Sequence, residues 1–137
     1  MQDAMKGENK HYQHLKRHID RFCNANMIPF SEGCIIKYAL RHEHKNGAED
    51  LNKAIDFCER RLQDTDYPRI AHNRVWSGLM SRVMSWYQNE GNAHTGRLPH
   101  EWEVVRLIAQ YLETRDRDAF HDAAWLCAQI RREKYEK

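Results

Sequence analysis

Proline and glycine are scarce in this chain, with three prolines and six glycines among 137 residues. Both residue types fall between periodic segments and not inside them, so long helices are not interrupted. No apolar run approaches the roughly 20 residues that cross a bilayer. The first ten residues, MQDAMKGENK, also lack the apolar stretch of a secretory signal. We therefore expect a helical protein of the cytoplasm that makes no contact with a membrane.

Cysteine pairs with the spacing of zinc ligands are absent as well. The four cysteines are Cys23, Cys34, Cys58 and Cys127. Each stands among apolar residues at helical spacing, and no two form a Cys-x-x-Cys pair. This pattern is typical of buried free thiols and not of metal ligands or disulfides.

Neither sign of charge is in large excess, since 22 basic residues face 20 acidic ones and give a net charge of +2. A balance this close does not indicate nucleic acid as a partner, and we expect none. Hydrophobic residues make up 41% of the chain and aromatic residues 10%. These fractions are sufficient for one folded domain with its own core.

Apolar residues recur three and four apart in every long segment, a spacing that predicts amphipathic helices. Helices are expected at about residues 10–25, from an N-cap at Ser31 through Leu40 to a break at Asn46-Gly47, at 51–62, 68–88 and 100–113, and from Asp116 onward. The predicted fold class is all-α, a compact single-domain bundle of about six helices. Residues 1–9 are expected to form a flexible N-terminus, and residues 10–137 the single helical domain.

Three basic residues, Lys37, Arg41 and Lys45, follow one another at a spacing of four. On a helix this spacing places neighbouring members on one face, where they would form a clamp for phosphate oxygens. The alternative is a solvated basic face that nearby acidic residues partly neutralise. In either case we expect Arg41 to be solvated, so that its removal barely affects folding.

Three short signals occur in fixed order between residues 11 and 62. They are His11-Tyr12, then Phe30-x-x-Gly33 with Ile36-Lys37-Tyr38-x-x-Arg41, then Lys45 with Asp50-Leu51-x-Lys53-Ala54. This order resembles a small helical domain of uncharacterised function found widely in tailed bacteriophages. The same domain forms the C-terminal part of a phage nucleoside monophosphate kinase that lacks a phosphate-binding glycine loop. The resemblance covers residues 10–64 and leaves the aromatic-rich residues 65–137 unmatched.

The resemblance implies a phage-encoded accessory protein that binds nucleotides in the bacterial cytoplasm, with an activity like that of a nucleoside monophosphate kinase. The implied substrate-binding residues are Tyr12, Gly33, Lys37, Tyr38, Arg41 and Lys45. His11 is the expected catalytic residue, for proton transfer or phosphate contact. Gly33 is expected to allow the close approach of another helix. No cofactor is expected to be tightly bound, although magnesium would arrive with the nucleotide.

The run His42-Glu43-His44 raises the question of a metal site. Residues two apart on a helix point about 200° away from each other, so both imidazoles cannot easily bind one ion. The chain also contains no His-Glu-x-x-His motif. We therefore expect no metal-binding residues.

The second half of the chain supports an alternative function. It is rich in aromatic residues, which are Trp76, Trp86, Tyr87, Trp102, Tyr111 and Trp125. At helical spacing these residues indicate a core, but tryptophan and tyrosine in company with arginine are also typical of interfaces. The alternative is a non-enzymatic interaction protein that binds a host protein through aromatics near Trp86 or Trp102, or sequesters nucleotides. A homo-oligomer is expected in either case.

Overall fold

The computed structural model describes the backbone of residues 2–64, 74–90 and 98–136 and the side chains of residues 12–64, 74–90 and 98–136. Within these ranges the protein is helical and contains no strand. Its α-helices are α1 (Gln2–Ala25), α2 (Phe30–Arg41), α3 (Ala48–Gln63), α4 (Leu79–Asn89), α5 (His100–Thr114) and α6 (Asp118–Tyr135). Two 3-10 helices cover His42–His44 and Arg74–Trp76. The prediction of a compact all-α bundle of about six helices is confirmed.

Helix α5 is the centre of the bundle, because it packs against α2, α4 and α6. Its apolar residues face several neighbours at once, and those with almost no exposed surface include Val104, Val105, Ile108 and Leu112. Each such side chain contributes roughly 1.5–3 kcal/mol when it leaves water. Helix α3 lies against both α2 and α6, so the first half of the chain is joined to the last helix. Within the described ranges, no helix has the length and apolarity needed to span a bilayer.

The first two helices begin earlier than the sequence pattern predicted. Helix α1 starts at Gln2, eight residues before the expected start. Helix α2 starts at Phe30, and Ser31 is not its N-cap. Pro29 precedes α2 in an extended conformation, with φ −61° and ψ 159°, and no side chain caps the helix. Its ring fixes φ at a value that suits a helix entrance. Helix α2 ends at Arg41 and the 3-10 helix at His44, so Lys45 lies beyond the helix that was expected to reach Asn46-Gly47.

The prediction of one continuous helix through residues 74–88 is wrong, and residues 68–73 of that prediction lie outside the described residues. Gly78 adopts a left-handed conformation with φ 76° and separates the 3-10 helix Arg74–Trp76 from α4. The carboxylate of Glu113 on α5 accepts hydrogen bonds from the backbone N–H groups of Gly78 at 2.6 Å and Met80 at 3.1 Å. A partner on another helix therefore caps α4, and local periodicity does not reveal such a cap.

Most of the aromatic residues of the second half are buried, as their spacing indicated. Trp86 stacks on Phe22 of α1 at a centroid distance of 4.4 Å and meets Trp102 edge-on at 4.8 Å. Trp125 is the exception, because 64% of it is exposed on α6. Trp86 and Trp102 are buried and offer no exposed aromatic surface to a partner.

The four cysteines are free. Cys34, Cys58 and Cys127 are buried, and Cys23 is half-buried. Burial is the largest cause that raises the pKa of the Cys23 and Cys127 thiols to about 12. These thiols therefore stay protonated near neutral pH, where they pack as small apolar groups.

Candidate functional site

Arg41, at the C-terminal end of α2, is the centre of a buried ion pair. Its Nε donates to Oδ2 of Asp50 at 3.2 Å, and its Nη2 donates to Oδ1 at 3.1 Å. Its Nη1 donates to the hydroxyl of Tyr12 at 3.2 Å. Only 9% of Arg41 is exposed, and Asp50 is fully buried. The expectation that Arg41 is a solvated cation is therefore wrong, since its guanidinium joins α1, α2 and α3.

Asp50 receives further hydrogen bonds from the turn that precedes α3. The backbone N–H of Asn46 donates to Oδ2 at 3.2 Å, and Asn46 Nδ2 lies 3.5 Å from Oδ1. Burial acts to lower the pKa of Arg41, but the hydrogen bonds to Asp50 and Tyr12 raise it overall. Asp50 also lies in the first turn of α3, where the helix dipole favours a negative charge. The pair is thus charged, hydrogen-bonded and oriented from both sides.

Basic side chains surround two tyrosine rings beside this ion pair. Three of them lie near the Tyr38 ring, with Lys37 Nζ at 4.9 Å from its centroid, Arg41 Cζ at 4.8 Å and Lys53 Nζ at 5.6 Å. Lys45 Nζ lies 5.1 Å from the centroid of Tyr12. Such distances allow cation–π attraction. We call Tyr12, Lys37, Tyr38, Arg41, Lys45 and Lys53 the cationic tyrosine cluster.

The cluster unites five of the six residues that the resemblance implied for substrate binding, and Gly33 is the one outside it. A Cβ added at Gly33 would lie 3.8 Å from Cys23 Sγ and 3.9 Å from Ile28 Cγ2, which are ordinary contact distances. Close packing therefore does not require glycine there, and that expectation is wrong. His11 lies outside the residues whose side chains the structure describes. Lys53 was not among the residues predicted to bind substrate, although it belongs to the third sequence signal, Asp50-Leu51-x-Lys53-Ala54.

A second polar site surrounds His42, which is 1% exposed. Its Nε2 lies 2.8 Å from Oε2 of Glu101, and its Nδ1 lies 2.8 Å from the hydroxyl of Tyr135. A carboxylate can only accept, so Nε2 donates its proton to Glu101, and Nδ1 shares a hydrogen bond with the Tyr135 hydroxyl. Lys134 donates to both Glu43 and Glu101. We call His42, Glu43, Glu101, Lys134 and Tyr135 the histidine–glutamate network.

The network borders a cavity of about 380 Å³ that is also lined by His44 and Glu90. His42 is buried and His44 is exposed. The two imidazoles differ in burial, and the segment that carries them is a 3-10 helix, not the α-helix on which the expected spacing rested. The network joins α5, α6 and the turn after α2, and Lys134 contributes a positive charge to it.

Glu101 is expected to make the stability of the protein depend on pH in the acid range. Burial by itself would raise the pKa of Glu101, but hydrogen bonds from His42 and the backbone, with the charge of Lys134, lower it from 4.5 to about 2. A folded-state pKa below the unfolded value stabilises the fold above about pH 4.5, and this contribution is lost as the pH falls toward 2. The contribution is roughly 3 kcal/mol.

Urea unfolding of the wild type and of Glu101→Gln at several pH values measures this contribution. The stability difference between the two proteins should shrink between about pH 4.5 and 2. Glu59→Gln, at an exposed position of α3, is the control and should change little. Parallel profiles for the wild type and Glu101→Gln would contradict the lowered pKa.

The geometry defines a class of protein: an all-α bundle with a cationic, aromatic surface built on its first three helices. Residues 7–59 match the model of a family described as a protein of unknown function, DUF3310. The match covers less than half of the chain, and it includes every member of the cationic tyrosine cluster. Neither a curated protein nor a solved structure matches the chain.

Proposed function

We propose that this protein binds nucleotides through the cationic tyrosine cluster, as a phage-encoded accessory protein in the bacterial cytoplasm. The phage origin is supported by the resemblance of the motifs in residues 11–62. Nucleotide binding is supported by chemistry, because ammonium groups attract phosphate oxygens and tyrosine rings offer faces on which a base stacks. The cluster supplies both kinds of group within a few ångströms.

The charge of the lysines in the cluster is the main support for this proposal. Lys37 and Lys45 lie over tyrosine rings, and among the described residues neither has an acidic partner within ion-pair distance. Lys53 has a weak partner, since its ammonium is 3.8 Å from the exposed carboxylate of Glu49. The charge of Arg41 is already matched by Asp50. The lysines are therefore the groups for phosphate, and Arg41 holds Tyr12 and Tyr38 in position.

The structure also bears on the alternative of an interaction protein. That hypothesis needed exposed aromatics near Trp86 or Trp102, and both of these side chains are buried. Burial leaves them no surface for a hot spot, since a hot spot requires an accessible anchor. Trp125 of the same half is exposed, so a partner surface in the second half would contain Trp125 and not Trp86 or Trp102.

Thermal-shift titrations with nucleoside mono-, di- and triphosphates test nucleotide binding. A nucleotide at 100 times its Kd should stabilise the native protein by roughly 2.7 kcal/mol. Lys37→Ala and Lys45→Ala should each weaken binding about tenfold, because each removes one charged hydrogen bond worth roughly 1.5 kcal/mol. Arg132→Ala is the charge-matched control, at an exposed position of α6 outside the cluster.

Inorganic phosphate is the second ligand in this experiment. Weak binding of phosphate with tight binding of a nucleotide would show that the tyrosines contact the base. The absence of any shift, or equal affinities in Lys37→Ala and wild type, would refute the proposed function.

The nucleotide-binding protein is proposed to be an enzyme that resembles a nucleoside monophosphate kinase. Without a glycine loop, catalysis would depend on charge stabilisation and positioning, with magnesium bound to the nucleotide. A phosphoryl-transfer assay with the wild type and His11→Ala distinguishes the kinase from a nucleotide-sequestering protein. Turnover that disappears in His11→Ala while binding remains supports the kinase. Binding without turnover in the wild type supports sequestration.

A further inference from the structure

Two histidines on α1 and one glutamate after α4 form a compact group on the surface. His14 and His18 are four residues apart, so they lie on one face of α1, with ring centroids 4.3 Å apart. Glu90 Oε1 is 2.8 Å from His18 Nδ1, and Glu90 Oε2 is 3.7 Å from His14 Nε2. One nitrogen from each histidine and one oxygen from Glu90 all lie within 4.8 Å of one another.

These distances are close to those around a tetrahedral zinc ion. Zinc binds imidazole nitrogen and carboxylate oxygen at about 2.0–2.2 Å, so neighbouring ligand atoms lie roughly 3.3 Å apart. The observed separations, 2.8 Å to one oxygen of Glu90 and 3.7 Å to the other, lie on either side of this value. Imidazole with carboxylate is a donor set that suits zinc better than magnesium or calcium.

Helix α1, which carries the two histidines, and helix α4, which ends just before Glu90, are packed together next to the group. Phe22, one turn after His18, stacks on Trp86, one turn before Glu90. The indole N–H of Trp76 donates to the carbonyl of Asn26, just beyond α1, at 3.1 Å. The ligands would therefore come from elements that are already packed, which lowers the entropic cost of assembling a site.

The histidine–glutamate network contains a second group of possible metal ligands with similar spacing. His42, Glu43 and Glu101 also bring their ligand atoms within 4.8 Å of one another. Lys134, however, bridges the two carboxylates and supplies the cation that a metal would supply. At Glu90, no lysine or arginine of the described ranges forms an ion pair, and its partners there are the two imidazoles.

We propose that His14, His18 and Glu90 bind one zinc ion. Two histidines and a glutamate leave a fourth position for water or another ligand, and Glu90 also lines the cavity of about 380 Å³. The ion would hold α1 against the end of α4. This zinc site is separate from the cationic tyrosine cluster and does not depend on nucleotide binding.

Zinc binding is tested on the full chain, without a histidine tag, after treatment with a chelator. Isothermal titration with Zn²⁺ should give one equivalent, and the thermal midpoint should rise with Zn²⁺ but not with Mg²⁺. His18→Ala and Glu90→Gln should each weaken zinc binding at least about tenfold, because loss of a ligand costs no less than loss of its supporting hydrogen bond. His121→Ala, at an exposed position of α6, should bind like the wild type.

Circular dichroism in the presence of chelator verifies that each variant is folded. His14→Ala gives an independent measurement, because the His14 side chain is 65% exposed and its loss leaves the core intact. Weaker binding in His14→Ala with unchanged folding supports the site. The absence of zinc binding in the wild type, or an unchanged zinc affinity in His14→Ala, overturns the proposal.

Discussion

Replacement of Arg41 by alanine is expected to lower the free energy of unfolding by roughly 3–5 kcal/mol. The substitution leaves the carboxylate of Asp50, which is fully buried, without its cation and without two of its hydrogen bonds. The donors that remain to it belong to Asn46, at 3.2 and 3.5 Å. An unpaired buried charge is costly because the interior cannot solvate it. The hydroxyl of Tyr12 also loses its donor, so α1 is less firmly held on α2.

Urea denaturation of Arg41→Ala, monitored by circular dichroism, measures this effect. Lys37→Ala is the matched control, since it removes a cation from the same helix one turn earlier. Lys37 makes no ion pair with a described residue and should contribute less than about 1 kcal/mol. The two variants should therefore separate the roles: Lys37→Ala loses ligand affinity, and Arg41→Ala loses stability. A loss below about 1 kcal/mol in Arg41→Ala would contradict the buried ion pair as a structural element.

Arg61→Ala is expected to have an effect of similar size, roughly 3–5 kcal/mol. Arg61 Nη2 lies 3.4 Å from Oε2 of Glu32, which is fully buried, and donates to the hydroxyl of Tyr111 at 3.1 Å. Its guanidinium also lies 5.4 Å from the ring of Phe120. Alanine would leave Glu32 and Tyr111 without this donor and open a cavity among α2, α3, α5 and α6. Both losses act in the same direction.

Two further variants separate the effect of the buried pair from that of a surface arginine. Arg60→Ala changes the neighbouring residue, whose ion pair with Asp56 is exposed, and it should cost less than about 1 kcal/mol. Burial raises the pKa of Glu32 in spite of Arg61, so the neutral Glu32→Gln should be milder than Arg61→Ala. Equal losses in Arg60→Ala and Arg61→Ala would refute the assignment of the stability to the buried pair.

The ion pair between Arg41 and Asp50 changes the interpretation of the motif that contains Lys37, Tyr38 and Arg41. A run of basic residues at a spacing of four indicates one charged face, but burial divides the run. Lys37 is half-buried without an ion-pair partner in the described ranges, whereas Arg41 is enclosed with Asp50. The same short motif thus contains a candidate ligand-binding group and a structural group. Sequence spacing cannot distinguish them, because the partner comes from the next helix.

Residue spacing alone predicts the helical class and the burial of most of the aromatic residues. Apolar spacing of three and four residues depends only on local geometry, so it predicted the helices and the burial of Trp76, Trp86 and Trp102 correctly. It also placed Lys37 and Arg41 on one helix. The start of α4 was not predictable in this way, because the break at Gly78 is capped by Glu113 from a helix far along the chain.

The packing of the helices determines which charged residues form ion pairs within the fold and which could contact a ligand. Arg41 meets Asp50 because the turn at residues 42–47 folds α3 back onto α2. Gly47 ends that turn with φ 57° and directly precedes α3. Glu90 reaches His14 and His18 because α4 packs its Trp86 against Phe22. The spacing of His14 and His18 is visible in the sequence, but their approach to Glu90 is not. Helix formation is a local property, whereas charge pairing depends on which helices meet, and the packing of the core decides that.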